Sequence, residues 1–260
     1  MTERGRSGNP WWIAYETVAM VIGLGSLALI CLGWLPFALL LQPLLPQRWA
    51  QPIGRGFITR GFRFYLRLLE IFCACRFDLQ ELDRLRDSGP LIVAANHPSL
   101  LDAVMIVSRL PNAVCVMKAS LMDNLLFGAA ARLARYIRND APLEMILNAR
   151  QALHDGARLV IFPEGTRTAN FPLDPCSPST GLVANRARVP VQTVLIEFST
   201  PYLGKAWPLF RPPQLPLSCG VRLRRRFEPP SNVQAFTAEI EAYFRAELGE
   251  NGASPAPASA

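Results

Sequence analysis

Between Glu16 and Arg48 the chain carries no charged residue, and no other feature restricts its fold so strongly. The interval is filled by "AMVIGLGSLALICLGWLPFALLLQPLLP". A helix needs about 20 apolar residues to cross the hydrocarbon core of a bilayer. This run exceeds that, so it belongs in or on a membrane. Pro36 interrupts it shortly after Gly33, and proline inside a helix removes a hydrogen bond and kinks or breaks it. Two forms follow: one long kinked transmembrane helix, or a helical hairpin that dips in and returns. A cleavable signal peptide fits less well, because the apolar core is too long and no small-residue cleavage site follows.

The flanks orient the segment. Arg48, Arg55, Arg60, Arg63 and Arg67 follow it before the next acid, Glu70, while Arg4 and Arg6 precede it. The positive-inside bias places the bulk of the chain in the cytoplasm, here at a bacterial inner membrane. Within "GFITRGFRFYLRLLEIFCACRF", Arg60, Arg63 and Arg67 recur at helical intervals, and Phe57, Phe64, Leu68 and Ile71 can occupy another face. That is the pattern of an interfacial amphipathic helix; a solvated face of a helix packed on the core gives the same pattern.

Net charge narrows the partners. With 27 Lys+Arg against 20 Asp+Glu, the formal +7 favours a phospholipid surface, a phosphorylated substrate or nucleic acid. The basic stretch "RLRRRFEPP" (222–230) lacks interleaved aromatics and sits beside prolines, so it reads as a solvated edge strand or a lipid-facing rim, and no nucleic acid is expected. The six cysteines form no C-x-x-C pair and the two histidines cannot complete a His-rich metal site, so reduced structural thiols and no metal are expected.

From Leu79 onward the pattern becomes α/β. "PLIVAANH", "NAVCVMK", "GARLVIFPEG" and "VPVQTVLIEF" are short apolar runs of the kind that form buried parallel strands. Helical regions are expected at 122–135 and 143–154. A C-terminal helix opens with Ser231 and Gln234 at capping-box spacing. The alternation implies a mostly parallel central sheet flanked by helices, with function gathered at the carboxyl ends of the strands. The chain divides into a membrane segment (1–47), an amphipathic interfacial region (48–77), an α/β domain (78–249) and a small, Pro-rich disordered tail (250–260).

His97 and Glu164 both stand just past a strand end. Asp102 lies five positions after His97, in the first turn of the expected following helix, where its carboxylate can turn back to accept from Nδ1–H and leave Nε2 to take a proton. A hydroxyl activated this way could attack a carbonyl directly, and no G-x-S-x-G elbow supplies a serine nucleophile. The plainer alternative is a loop histidine beside an acid that favours a helix N-terminus. In "FPEGTRT" (162–168), Gly165 lets the backbone turn sharply and Arg167 offers a planar fork suited to phosphate. Glu164 is placed to hold that arginine or a substrate hydroxyl.

"NHPSLLD", followed 67 residues after His97 by "FPEGTR", resembles the glycerolipid acyltransferase family, which includes the 1-acylglycerol-3-phosphate acyltransferases. The resemblance spans roughly 78–198. It implies His97 as catalytic base, Asp102 as its orienter, and Glu164, Gly165, Thr166 and Arg167 as contributors to acceptor binding. "MKASLMDNLLFG" is similar to the family's intermediate block, from Lys118 to Gly128, and "RVPVQTV" to its closing block. The implied reaction moves a fatty acyl group from acyl-CoA or acyl carrier protein to a lysophospholipid hydroxyl, by default that of 1-acylglycerol-3-phosphate, giving phosphatidate without a cofactor. The chain departs from the family where a phosphate would be held: Thr180 replaces a basic residue before Gly181, and "YIRND" replaces a hydrophobic run ending in Asp-Arg. A lyso-aminolipid acceptor and a non-catalytic lipid-binding protein are the alternative expectations.

Overall fold

A computed structural model of the chain describes residues 9–208 and 210–250. The charge-free run forms one helix, α1 (Pro10–Leu44), opened by Asn9, whose Oδ1 accepts from the Trp11 N–H at 3.0 Å. At 1.5 Å per residue it is about 50 Å long, and it is apolar enough to cross a bilayer. Of the two forms expected, the chain takes the continuous helix and does not turn back at Pro36. Trp34 stacks on Phe57 with ring centroids 3.4 Å apart and Ala38 is fully buried, so packing holds the helix together across the proline. The chain reverses ten residues later. Leu45, directly before Pro46, adopts φ −100° and ψ 133°, the extended conformation that a following proline imposes.

Helix α2 (Gln47–Phe72) returns alongside α1. Ile58, Tyr65, Leu66 and Leu69 face the core, while Phe57, Phe64, Ile71 and Phe72 point outward, continuing the exposed apolar surface of Leu29, Leu32, Leu40 and Leu44 on α1.

The sheet contains β1 (Cys75–Asp78), β2 (Ile92–Ala95), β3 (Ala113–Met117), β4 (Ile137–Arg138), β5 (Arg158–Ile161), β6 (Val191–Phe198) and β7 (Leu217–Phe227). Their order is β1-β7-β6-β2-β5-β3-β4, and every neighbouring pair is parallel except β6 with β7. The four apolar runs are β2, β3, β5 and β6. Residues 222–227 are not an edge strand: they belong to β7, which lies between β1 and β6. Carboxylates neutralise its arginines there, Arg222 with Asp78 at 2.6 Å and Arg224 with Glu247 at 3.1 Å. Strand β1, whose residues 75–77 the sequence grouped with the interfacial region, is one edge of the sheet and β4 the other.

The remaining helices are α3 (Leu101–Arg109), α4 (Ala119–Asp123), α5 (Leu125–Leu133), α6 (Pro142–His154), α7 (Ser179–Ala187) and α8 (Val233–Glu250). The single helix expected over 122–135 is split at Asn124, whose Oδ1 caps α5 by accepting from the Leu126 and Phe127 N–H groups. At Gly128 any Cβ would lie 1.9 Å from the Met122 carbonyl, so only glycine lets α4 fold onto α5. Helix α8 is capped one residue later than expected, by Asn232 accepting from Ala235 at 3.0 Å, because Asn232 and not Ser231 adjoins the first turn. Residues 251–260 of the expected tail lie outside the described residues.

Alternation along β2 shows that both faces are covered. Val93 and Ala95 enter the core beneath α2 and α3, while Ile92 and Ala94 enter the core beneath α6, α7 and α8. The carboxyl ends of β2 and β5, adjacent in the sheet, therefore open together at one rim.

Candidate active site

At that rim β2 gives way to Asn96 and His97. The buried Asn96 side chain mimics one more ladder step: its Nδ2 donates to the Ile196 carbonyl at 2.9 Å, and its Oδ1 accepts from the Ile196 N–H at 2.8 Å. The main chain is thereby freed to turn. His97 then stacks on Phe162, centroids 3.8 Å apart and planes 12° from parallel.

The His97 Nδ1 and the Asp102 Oδ2 lie 2.8 Å apart. The same carboxylate oxygen accepts from the Ser99 N–H at 2.8 Å, so a tight turn locks the acid at the start of α3. Asp102 is fully buried, whereas the imidazole is 16% exposed. Burial pushes the Asp102 carboxyl up to about 6, opposed by the hydrogen bond and charge of His97 and by the Ser99 N–H. It is a carboxylate at neutral pH, holding the tautomer with the proton on Nδ1 and a basic Nε2 turned outward.

The β5 loop supports this pair from below. Glu164 Oε1 accepts from the His97 N–H at 3.0 Å and the Thr168 hydroxyl at 2.9 Å, and its Oε2 accepts from the Asp174 N–H at 2.9 Å. Burial raises the Glu164 carboxyl, and these donors oppose the rise. The Thr168 N–H also donates to the His97 carbonyl at 2.8 Å.

Glu164 and Arg167 do not pair, so of the two roles expected for Glu164, holding the arginine is not the one seen. Arg167 Nη1 instead donates to the carbonyls of Leu203 (2.9 Å) and Gly204 (2.6 Å), tying the β5 loop to the long β6–β7 connection. Its Nε and Nη2 have no hydrogen-bond partner among the described residues. Gly165 adopts φ +69°, the left-handed conformation expected of it, and with Thr166 it is exposed at the rim. Lys118 is exposed at the end of β3, beside the Arg138–Asp140 ion pair of 2.7 Å.

Sequence reasoning missed Asn96, Phe162, Thr168 and Asp174 as builders of the site. A polar residue closing an apolar strand run was the one available signal, for Asn96. No His, Cys, Asp and Glu grouping suited to a metal occurs among the described residues.

A part-exposed imidazole backed by a buried carboxylate, at the rim of an α/β sheet, is an arrangement able to take a proton from a bound hydroxyl. The chain belongs to the acyltransferase family, whose model matches residues 61–197. It is 28% identical over 161 residues to human 1-acyl-sn-glycerol-3-phosphate acyltransferase beta, covering 58% of this chain and 54% of that one. The chain thus spans about half the length of the curated relative it matches. The crystal structure of a 1-acyl-sn-glycerophosphate acyltransferase from Thermotoga maritima superposes with a TM-score of 0.63 at 17% identity, over 93% of this chain and 99% of the other, a likeness of fold.

Proposed function

We propose that the protein transfers a fatty acyl group from acyl-CoA or acyl carrier protein to the hydroxyl of a lysophospholipid, 1-acylglycerol-3-phosphate first among them. The observation that carries this reading is the 2.8 Å contact of His97 Nδ1 with the Asp102 carboxylate, on an imidazole that is 16% exposed. In the reaction Nε2 takes the acceptor hydroxyl proton as the oxygen attacks the thioester carbonyl. The tetrahedral intermediate then expels the thiol, which leaves with the proton held by His97. Asp102 stabilises the transient imidazolium. General-base assistance of this kind contributes about 10²–10⁴-fold.

Direct transfer is favoured over an acyl-enzyme. Burial pushes the Cys115 and Cys176 thiols up to about 12, so neither is a thiolate nucleophile. The Ser99 hydroxyl is buried and accepts from the Leu101 N–H.

The free edge of Arg167, with Lys118 and the exposed Gly165–Thr166 turn, is suited to an acceptor phosphate. The name of the human relative favours the same acceptor. Thr180, buried where a cation would have helped, leaves a lyso-aminolipid as the second acceptor reading. Residues 1–47 and the outer face of 48–77 would meet lipid at a bacterial inner membrane, with 78–249 on the cytoplasmic side.

The test is an assay of membrane fractions carrying wild type or His97→Ala, with a panel of lysolipids and both thioester donors, read by lipid mass spectrometry. Wild type should add an acyl mass to lysophosphatidate and the variant should not. Undiminished turnover by His97→Ala would overturn the mechanism.

A further inference from the structure

A cleft of about 360 Å³ opens between α2, the exit of β1 and the last turn of α3. Its volume lies within the range of about 300–1,000 Å³ typical of small-ligand sites. Leu66 and Phe77 contribute apolar surface, and Arg63, Arg67 and Arg109 outnumber the one lining acid, Glu70. These cations are only partly neutralised. Arg63 is fixed by Nε donating to the Ser108 carbonyl at 2.7 Å, which leaves both terminal nitrogens unused. The Arg67 side chain makes no hydrogen bond or ion pair among the described residues. Arg109 pairs through Nη2 with Asp83, while its buried Nε has no hydrogen-bond partner. Partial burial, then the charges of Arg86 and Arg109, pull the pKa of Arg63 down. Crowding of this kind opposes folding and is relieved by an anion.

We propose that this cleft binds the phosphate headgroup of an anionic phospholipid, apart from the acyl-transfer site. Two further features separate it from a site for soluble phosphate. The neighbouring face of α2 exposes Phe57, Phe64 and Ile71, which recur every seven residues along one stripe where acyl chains can lie. The guanidinium of Arg63, held from behind, presents its two terminal N–H groups in the fork that suits phosphate oxygens. The cleft also shares no residue with the dyad. Asp102 occupies the first turn of α3 and Arg109 its last position, about 10 Å away along the helix. The inference is independent of the acyl-transfer reading, and a protein lacking His97 keeps the cleft.

The full chain, as wild type and as His97→Ala, would be titrated in neutral detergent micelles with dihexanoyl phosphatidylglycerol while thermal unfolding is followed. Ligand binding to the folded state raises Tm. Both proteins should be stabilised, less so at high salt. Arg67→Glu and the milder Arg67→Gln, each melting near wild type without lipid, should weaken the apparent affinity about fivefold or more. Arg150→Gln, on α6 across the sheet from the cleft, should not. Equal stabilisation by dihexanoyl phosphatidylcholine, or an unchanged response in both Arg67 variants, would overturn the proposal. Equal stabilisation by inorganic phosphate at the same concentration would overturn the lipid assignment and leave a soluble-anion site.

Discussion

The loop leaving β2 and the loop leaving β5 end at the same rim and deploy their polar atoms in opposite ways. In the first, His97 commits Nδ1 to a buried acid and leaves Nε2 uncommitted. In the second, both oxygens of Glu164 and one nitrogen of Arg167 are bonded to the chain itself. On the proposed mechanism, reactivity sits on one strand end, and most of the neighbouring motif builds the floor beneath it.

The largest effect should follow from the reactive loop. His97→Ala and Asp102→Asn should each lower kcat by about 10²–10⁴-fold, and the double variant should be little worse, since the pair acts as a unit. Their melting curves should dissociate from their activity. The Asp102 carboxyl rises to about 6 in the fold from about 3.9 in an unfolded chain. Its protonated form supports the fold fully below about 3.9, and that support is lost as pH rises through about 6. The ionised group thus opposes folding at neutral pH, and Asp102→Asn should melt no lower than wild type there. By the same titration, wild-type kcat/KM should fall below pH of about 6. A large drop in the Tm of Asp102→Asn at pH 8 would erase the distinction between the two loops.

Glu164→Ala tests the other side. It strands the His97 and Asp174 N–H groups and the Thr168 hydroxyl, each worth about 1–3 kcal/mol when left unpaired and buried. Chemical denaturation should show a loss of several kcal/mol, with activity falling for donor and acceptor alike. A stable Glu164→Ala protein with only a raised acceptor KM would make Glu164 a ligand instead. Arg167→Lys should act more mildly and on both counts. It loosens the tie to Leu203 and Gly204, and it removes the fork from an acceptor phosphate. Acceptor KM should rise about tenfold while donor KM changes less. Equal changes in both would restrict Arg167 to anchoring. The smallest effect is expected at a residue that belongs to neither loop. Gly128→Ala should lower stability by about 1–3 kcal/mol through its clash with Met122 and leave kcat near wild type.

The contrast between the loops also explains what could be read in advance. His97 and Asp102 lie five residues apart, and their pairing needs only a strand end and a helix start, both of which leave periodic signals. The partners of Glu164 and Arg167 are largely backbone groups, at Asp174, Leu203 and Gly204, and a carbonyl or amide has no sequence signature. Strand β7 was hidden differently. Leu217, Cys219, Val221 and the partly buried Leu223 alternate inward, yet Arg222 and the arginines at 224–226 made the segment look like a rim. The continuity of α1 through Pro36 depended on packing against Phe57, a residue 21 positions beyond the proline that helix rules alone do not weigh.

The side-chain step made by Asn96 acts, in the language of assembly, as a register pin. A strand that slips by one residue turns every side chain to the opposite face, and β2 is apolar on both faces, so hydrophobic burial alone discriminates weakly between its registers. Asn96 offers one donor and one acceptor that fit the Ile196 peptide. In a slipped sheet those two buried groups would face mismatched partners. The amide that releases His97 from the sheet thus also proofreads the alignment of the strand behind it.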